Sequence, residues 1–216
     1  MLTGPEIKPR SGNPPKRLVI LFHGIGVNGQ NLIDIAGVLN RFIPDTHFIA
    51  PNAPFPYDMD RGNEYQWFSR QDRSEQAIME GLQQVEPIVN EFIDSQLQRF
   101  NLREEDVAVL GFSQGTMVAL HCFLRRPKPV ALIAGFSGAL IAPNLLETEL
   151  KSKPPVLLSH GEDDNILPIG LMHQAEEVLR SHNVEVEARS YRDLAHAIGQ
   201  EGFERAIDRF KEAFTV

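Results

Sequence analysis

The stretch Val107-Ala-Val-Leu-Gly-Phe-Ser113-Gln-Gly-Thr-Met-Val-Ala-Leu120 holds two patterns in succession. Its first four residues are short, apolar and β-branched, which reads as a buried strand. From Gln114 to about Leu124 the pattern becomes that of an amphipathic helix. Between them lies Gly111-Phe112-Ser113-Gln114-Gly115. A strand running straight into Gly-x-Ser-x-Gly, with a helix leaving it, is the setting in which a serine hydroxyl is held out on a sharp, strained turn. The two glycines let neighbouring backbone approach that turn, and the helix N-terminus favours negative charge beside the serine. A plainer reading is a serine that caps the helix after a glycine turn. The strand-to-helix context favours the nucleophile.

The same alternation extends in both directions. Leu18-Val-Ile-Leu-Phe22 and Phe48-Ile-Ala50 read as strands before the motif, with a helix at 31–42 between them. Residues 71–100 read as one long helix or two abutting ones, kinked or restarted at Pro87 and stopped by a left-handed Asn101. After the motif, strands are expected at 130–134, 156–158 and 184–191, the last edge-like, with helices at 169–182 and around Phe203, Ile207, Phe210 and Phe214. Residues 137–154 read as irregular. Apolar strands alternating with helices imply an α/β fold, a mostly parallel central sheet of six to seven strands flanked by helices. No repeat or linker divides the 216 residues, so a single domain is expected over 1–216, with 1–16 as an N-terminal extension.

Composition narrows the function. Twenty-one basic against twenty-nine acidic residues give a net charge of −8, which argues against nucleic acid as a partner, although a local basic pocket could act against that trend. The single cysteine, Cys122, reads as a small buried apolar side chain, and can form neither an internal disulfide nor a multi-thiolate metal site. Met1 to Arg10 has no apolar core segment, and the longest apolar runs are far too short for a membrane span. A cytoplasmic protein without stable membrane insertion is expected, with no cofactor and no metal; a homodimer is left open.

A serine nucleophile needs a base, and the base needs an orienting acid. On this kind of elbow the chain order is serine, acid, histidine. Of the histidines beyond Ser113, His121, His173 and His182 fall on expected helices, and His160 ends a strand. His196 lies in a loop at the expected carboxyl end of the sheet, where function gathers, and is the candidate base. Ser159-His-Gly-Glu-Asp-Asp-Asn165 offers Glu162, Asp163 and Asp164 as the acid, and residue type alone does not choose among them. An oxyanion hole needs two aimed backbone N–H groups. One should come from Gln114 and the other from the glycine loop His23-Gly-Ile-Gly-Val-Asn-Gly29. That loop also satisfies Gly-x-Gly-x-x-Gly at Gly24, Gly26 and Gly29, a dinucleotide-binding pattern. The next strand ends Ile49-Ala50-Pro51-Asn52, without the ribose-binding carboxylate that pattern requires.

Leu21-Phe-His-Gly-Ile-Gly26, Pro51-Asn-Ala-Pro54, Trp67-Phe68, Gly111-Phe-Ser-Gln-Gly115, His160-Gly-Glu-Asp-Asp164 with Pro168, and Ala195-His196 occur in order along almost the whole chain. With these motifs the chain resembles the phospholipase/carboxylesterase family of α/β hydrolases, which includes the acyl-protein thioesterases. The resemblance implies a compact α/β-hydrolase fold without a large lid domain. It implies Ser113 as nucleophile, Asp164 as the acid, His196 as base, and the N–H groups of Ile25 and Gln114 as the oxyanion hole. It further implies hydrolysis of carboxylic esters and, in some branches, thioesters or lysophospholipids. Two departures bear on the acyl pocket: Ser69 follows Trp67-Phe68 where the family often has Asp, and Ala139 follows Ser137-Gly138 where many members have an aromatic residue. Phe55, Trp67, Ile166 and Leu167 are candidates for the pocket wall, each with ordinary packing as the alternative. A serine carboxylesterase acting on a small-molecule ester or thioester is therefore expected. The competing readings are a serine peptidase or C–C hydrolase with the same three residues, a binding protein on this scaffold, and the dinucleotide binder.

Overall fold

The structure, a computed structural model, describes residues 1–59 and 62–215. Its centre is the strand β6 (Val107–Phe112), flanked on one side by β2 (Arg17–Phe22) and on the other by β7 (Leu132–Phe136). Beyond β2 lies β3 (Thr46–Ile49), and beyond β7 lie β8 (Val156–Gly161) and β9 (Val186–Tyr191), all parallel. β1 (Glu6–Ile7) closes the near edge antiparallel to β3, giving seven strands in the order β1-β3-β2-β6-β7-β8-β9. A separate hairpin joins β4 (Phe55–Pro56) to β5 (Tyr65–Gln66).

Strand side chains alternate between faces, and the core divides accordingly. Leu18, Ile20, Phe22, Val107 and Val109 pack with the apolar sides of α2 (Glu75–Phe100), α3 (Gln114–Arg125) and α5 (Gly170–Ser181). Val19, Leu21, Ala108 and Leu110 face α1 (Gln30–Leu39) and α6 (Gln200–Phe214). Both faces of the sheet are covered, which is why the strands read as continuous apolar runs. Every residue of α3 is buried, because α3 lies between the sheet and α2. Its polar residues are met by neighbours: His121 bonds Glu86 on α2, and Arg125 bonds Glu149 on the one-turn helix α4 (Leu146–Glu149).

Several boundaries differ from the sequence reading. Residues 71–73 are not helical; the Ser74 Oγ accepts the Ala77 N–H and starts α2 one residue later. α2 then runs unbroken through Pro87 to the left-handed Asn101 (φ 55°). β7 lies two residues later than its apolar run suggests; the Ala131 N–H already bonds the Val107 carbonyl of β6 just before the paired register begins at Leu132. The 137–154 segment contains α4 and a short 3-10 turn. The N-terminal segment supplies the edge strand β1, with Ala50 N–H bonded to the Pro5 carbonyl and Asn52 N–H to the Thr3 carbonyl. No described helix is long and apolar enough to cross a membrane.

Candidate active site

Ser113 sits where β6 ends and α3 begins, with φ 55° and ψ −117°. A non-glycine residue at positive φ is strained by about 1–3 kcal/mol, and surrounding bonds must hold it there. The Ser113 N–H is anchored to the Phe136 carbonyl on β7 at 2.9 Å. Thr116 reinforces the join: its hydroxyl lies within 2.9 Å of the Gly111 and Phe136 carbonyls and accepts the Phe136 N–H. A Cβ on Gly111 would meet the Thr116 backbone at 2.6 Å, and one on Gly115 would meet the Phe22 carbonyl at 2.0 Å. Both glycines therefore permit the close approach the turn requires. The Ser113 side chain makes no capping bond to the helix, so its hydroxyl is left for another partner.

That partner is His196. Its Nε2 lies 2.9 Å from Ser113 Oγ, and its Nδ1 lies 2.7 Å from Asp164 Oδ2. With Nδ1 protonated, the ring donates to the carboxylate and leaves Nε2 to accept from the serine. Asp164 is buried, whereas Glu162 and Asp163 are exposed; Glu162 accepts the Ser190 hydroxyl instead. Burial alone would raise the Asp164 pKa. The Leu167 N–H, the His196 ring and the Ile166 N–H outweigh it, and hold the carboxyl below the ordinary aspartate value. The loop bearing His196 reaches this position because Gly161 has no side chain: a Cβ there would meet the Leu194 carbonyl at 2.0 Å. His160 is placed at the same carboxylate, its Nε2 3.2 Å from Asp164 Oδ2 and 2.8 Å from the Leu167 carbonyl.

The glycine loop after β2 passes beside the serine. A Cβ on Gly24 would come within 3.4 Å of the Ser113 Cβ, and Gly26 (φ 73°) donates its N–H to the Tyr65 carbonyl. Among the described residues, neither the Ile25 nor the Gln114 N–H donates to a protein oxygen. The loop's third glycine, Gly29, is taken up internally, since a Cβ there would meet the Ala50 carbonyl at 1.9 Å. His23 braces the loop from behind. It donates from Nδ1 to the Gly24 carbonyl at 2.6 Å and accepts the Ala53 N–H at Nε2. Burial lowers its pKa from 6.5 to about 4, so the ring is neutral.

Of the four residues read as a pocket wall, Leu167 lines a cavity of about 450 Å³ with Met117, Ala139 and Leu140. Met117 is one helical turn beyond Ser113, and the Leu167 N–H is one of the two that hold Asp164. Phe55 lines a different cavity, of about 390 Å³, with Gln66 and Phe68. Ile166 is exposed to solvent. Trp67 is a correction: it is fully buried, packs edge-on against Phe22 and donates its indole N–H to the His23 carbonyl. The buried Gln114 side chain fixes this segment to the elbow by accepting the Trp67 N–H and donating to the Phe68 carbonyl. The bracing roles of Gln114, Thr116 and His160 escape sequence reasoning, because polar residues beside a motif give no sign of where their side chains turn.

Comparison with known proteins finds relatives over almost the whole chain. The acyl-protein thioesterase 1 of Kluyveromyces lactis is 26% identical over 216 residues, covering 93% of each chain. The esterase YpfH of Escherichia coli is 24% identical, over 92% of this chain and 83% of its own. Among solved structures, the esterase PE8 superposes with a TM-score of 0.94 at 34% identity, covering 98% of this chain and 99% of its own. The family described as phospholipase/carboxylesterase matches residues 4–213. The protein is thus a hydrolase of the α/β fold, and it belongs to the phospholipase/carboxylesterase family.

Proposed function

We propose that the protein is a serine carboxylesterase that works through an acyl-enzyme on Ser113. His196 accepts the Ser113 proton as Oγ attacks the ester carbonyl. Asp164 keeps the imidazole in the tautomer that leaves Nε2 free and stabilises the imidazolium that forms. The N–H groups of Ile25 and Gln114 receive the developing oxyanion, each contributing about 3 kcal/mol to transition-state stabilisation. The imidazolium then protonates the departing alkoxide. In the second half, His196 takes a proton from water, which attacks the acyl carbon and returns Ser113 as the free hydroxyl.

The observation that carries this reading is the continuous hydrogen-bonded chain from Ser113 Oγ through His196 to Asp164, on a serine held at positive φ. Similarity to acyl-protein thioesterases supports acyl thioesters as a second substrate class, since the same attack and the same oxyanion serve both. Ser113→Ala tests the proposal. Hydrolysis of p-nitrophenyl butyrate should fall by about ten-thousand-fold or more, with circular dichroism unchanged. Retained turnover would refute the mechanism.

A further inference from the structure

The cavity lined by Met117, which lies one helical turn beyond Ser113, is apolar for most of its wall, with Leu140, Leu167 and Leu171, but Arg70 and Arg73 also stand on it. Neither guanidinium is in an ion pair or side-chain hydrogen bond among the described residues, although the chain as a whole carries −8. Among the described residues, Asp58, Asp72 and Glu75 accept other donors. Asp58 accepts from the Ser69 hydroxyl, the Gln66 amide and the Arg70 main chain. Asp72 accepts the Ser74 N–H, and Glu75, on the same cavity wall, accepts the Ala142 N–H. Arg70 is half-buried, and burial together with the adjacent Arg73 charge holds its pKa below the ordinary arginine value. A partly desolvated cation beside a like charge is unfavourable until an anion joins it.

We propose that Arg70 and Arg73 bind a second, anionic end of the substrate, so that the enzyme acts on esters whose aliphatic chain ends in a carboxylate. The apolar wall of Met117, Leu140, Leu167 and Leu171 takes the methylene chain, and the guanidinium groups take the carboxylate. This rests on the assignment of Ser113 as nucleophile. The chain can belong to the acyl group or to the alcohol, and matched pairs of esters separate the two. On the acyl side the pair is p-nitrophenyl hydrogen adipate and its methyl-capped diester, followed by nitrophenolate release. On the alcohol side it is 4-carboxybutyl hexanoate and its methyl ester, followed by hexanoate release.

The quantity read is the ratio of kcat/KM for the charged ester to that for its capped partner. In one pair, the ratio should fall about tenfold or more in the Arg70→Gln, Arg73→Gln double variant, mainly through KM, as expected for loss of charged hydrogen bonds. Arg70→Lys should restore most of it. Arg73→Gln alone, at an exposed position, should lower the ratio in the same direction and keeps the test readable if Arg70→Gln misfolds. Equal ratios in wild type and variants for both pairs would overturn this inference while leaving the esterase reading intact. Failure of the wild type to hydrolyse any of the four esters would overturn both.

Discussion

Ser113 occupies a conformation that costs about 1–3 kcal/mol, and the residues around it exist to make that conformation the only one available. The Phe136 carbonyl holds its N–H, and Thr116 ties both strand ends to the first turn of α3. His23 plays the matching part for the glycine loop. Its ring must stay neutral for Nε2 to accept the Ala53 N–H. With a folded pKa of about 4 against an ordinary 6.5, its contribution to stability is complete above pH 6.5 and is lost as pH falls toward 4, because the unfolded chain binds the proton first. NMR titration should find the His23 imidazole still neutral at pH 5, with a midpoint near 4. A midpoint near 6.5 would contradict the burial argument. At this scale the sequence is informative where a residue type has one chemical use. The positions of Ser113 on the strand-to-helix turn and of His196 in a loop at the rim of the sheet were legible, because the elbow pattern points to both. Which carboxylate meets His196 was not legible from the residues alone, because Glu162, Asp163 and Asp164 are adjacent and alike; the Ile166 and Leu167 N–H groups hold Asp164 there, and those lie beyond the reach of pattern. Trp67 failed for a related reason: a large apolar side chain reads the same on a pocket wall and in a core.

The join between β2, β6 and α3 is the element on which the site depends. α3 can start beside the serine only because Gly115 lets its backbone lie against the Phe22 and His23 carbonyls, where a Cβ would come within 2.0 Å and 2.7 Å. Gly115→Ala should therefore lower stability in urea by about 3 kcal/mol or more, since fixed backbone cannot yield as a side chain would. Gly37→Ala on α1, where a Cβ would meet nothing within 4 Å, should raise stability by about 0.5–1 kcal/mol. Similar losses at the two positions would mean that the close approach is not what Gly115 provides. Elements with strong periodicity were legible: β2, β6, α2 and α6 lie where their apolar spacing puts them. β1, β4 and β5 were not, because each has two residues, too few for a period to show, and each is defined by its partner rather than by its own sequence.

Across the whole molecule, catalytic candidates separated by more than eighty positions in the chain converge at one end of one sheet. Ser113 follows β6, Asp164 follows β8 and His196 follows β9. The parallel order explains this, since every strand of the set ends at the same rim. We propose that residues 1–216 fold as one unit around that sheet. The chain's one tryptophan, buried at the elbow, and far-UV circular dichroism should then report a single coincident urea transition. Two separated transitions would divide the chain. The central claim is that the chemistry passes through Ser113, and labelling with a fluorophosphonate followed by peptide mass analysis tests it most directly. One phosphonyl group should appear per chain, on the peptide containing Ser113, with ester hydrolysis lost in proportion. A label on another residue, or full hydrolysis by the labelled protein, would contradict the account.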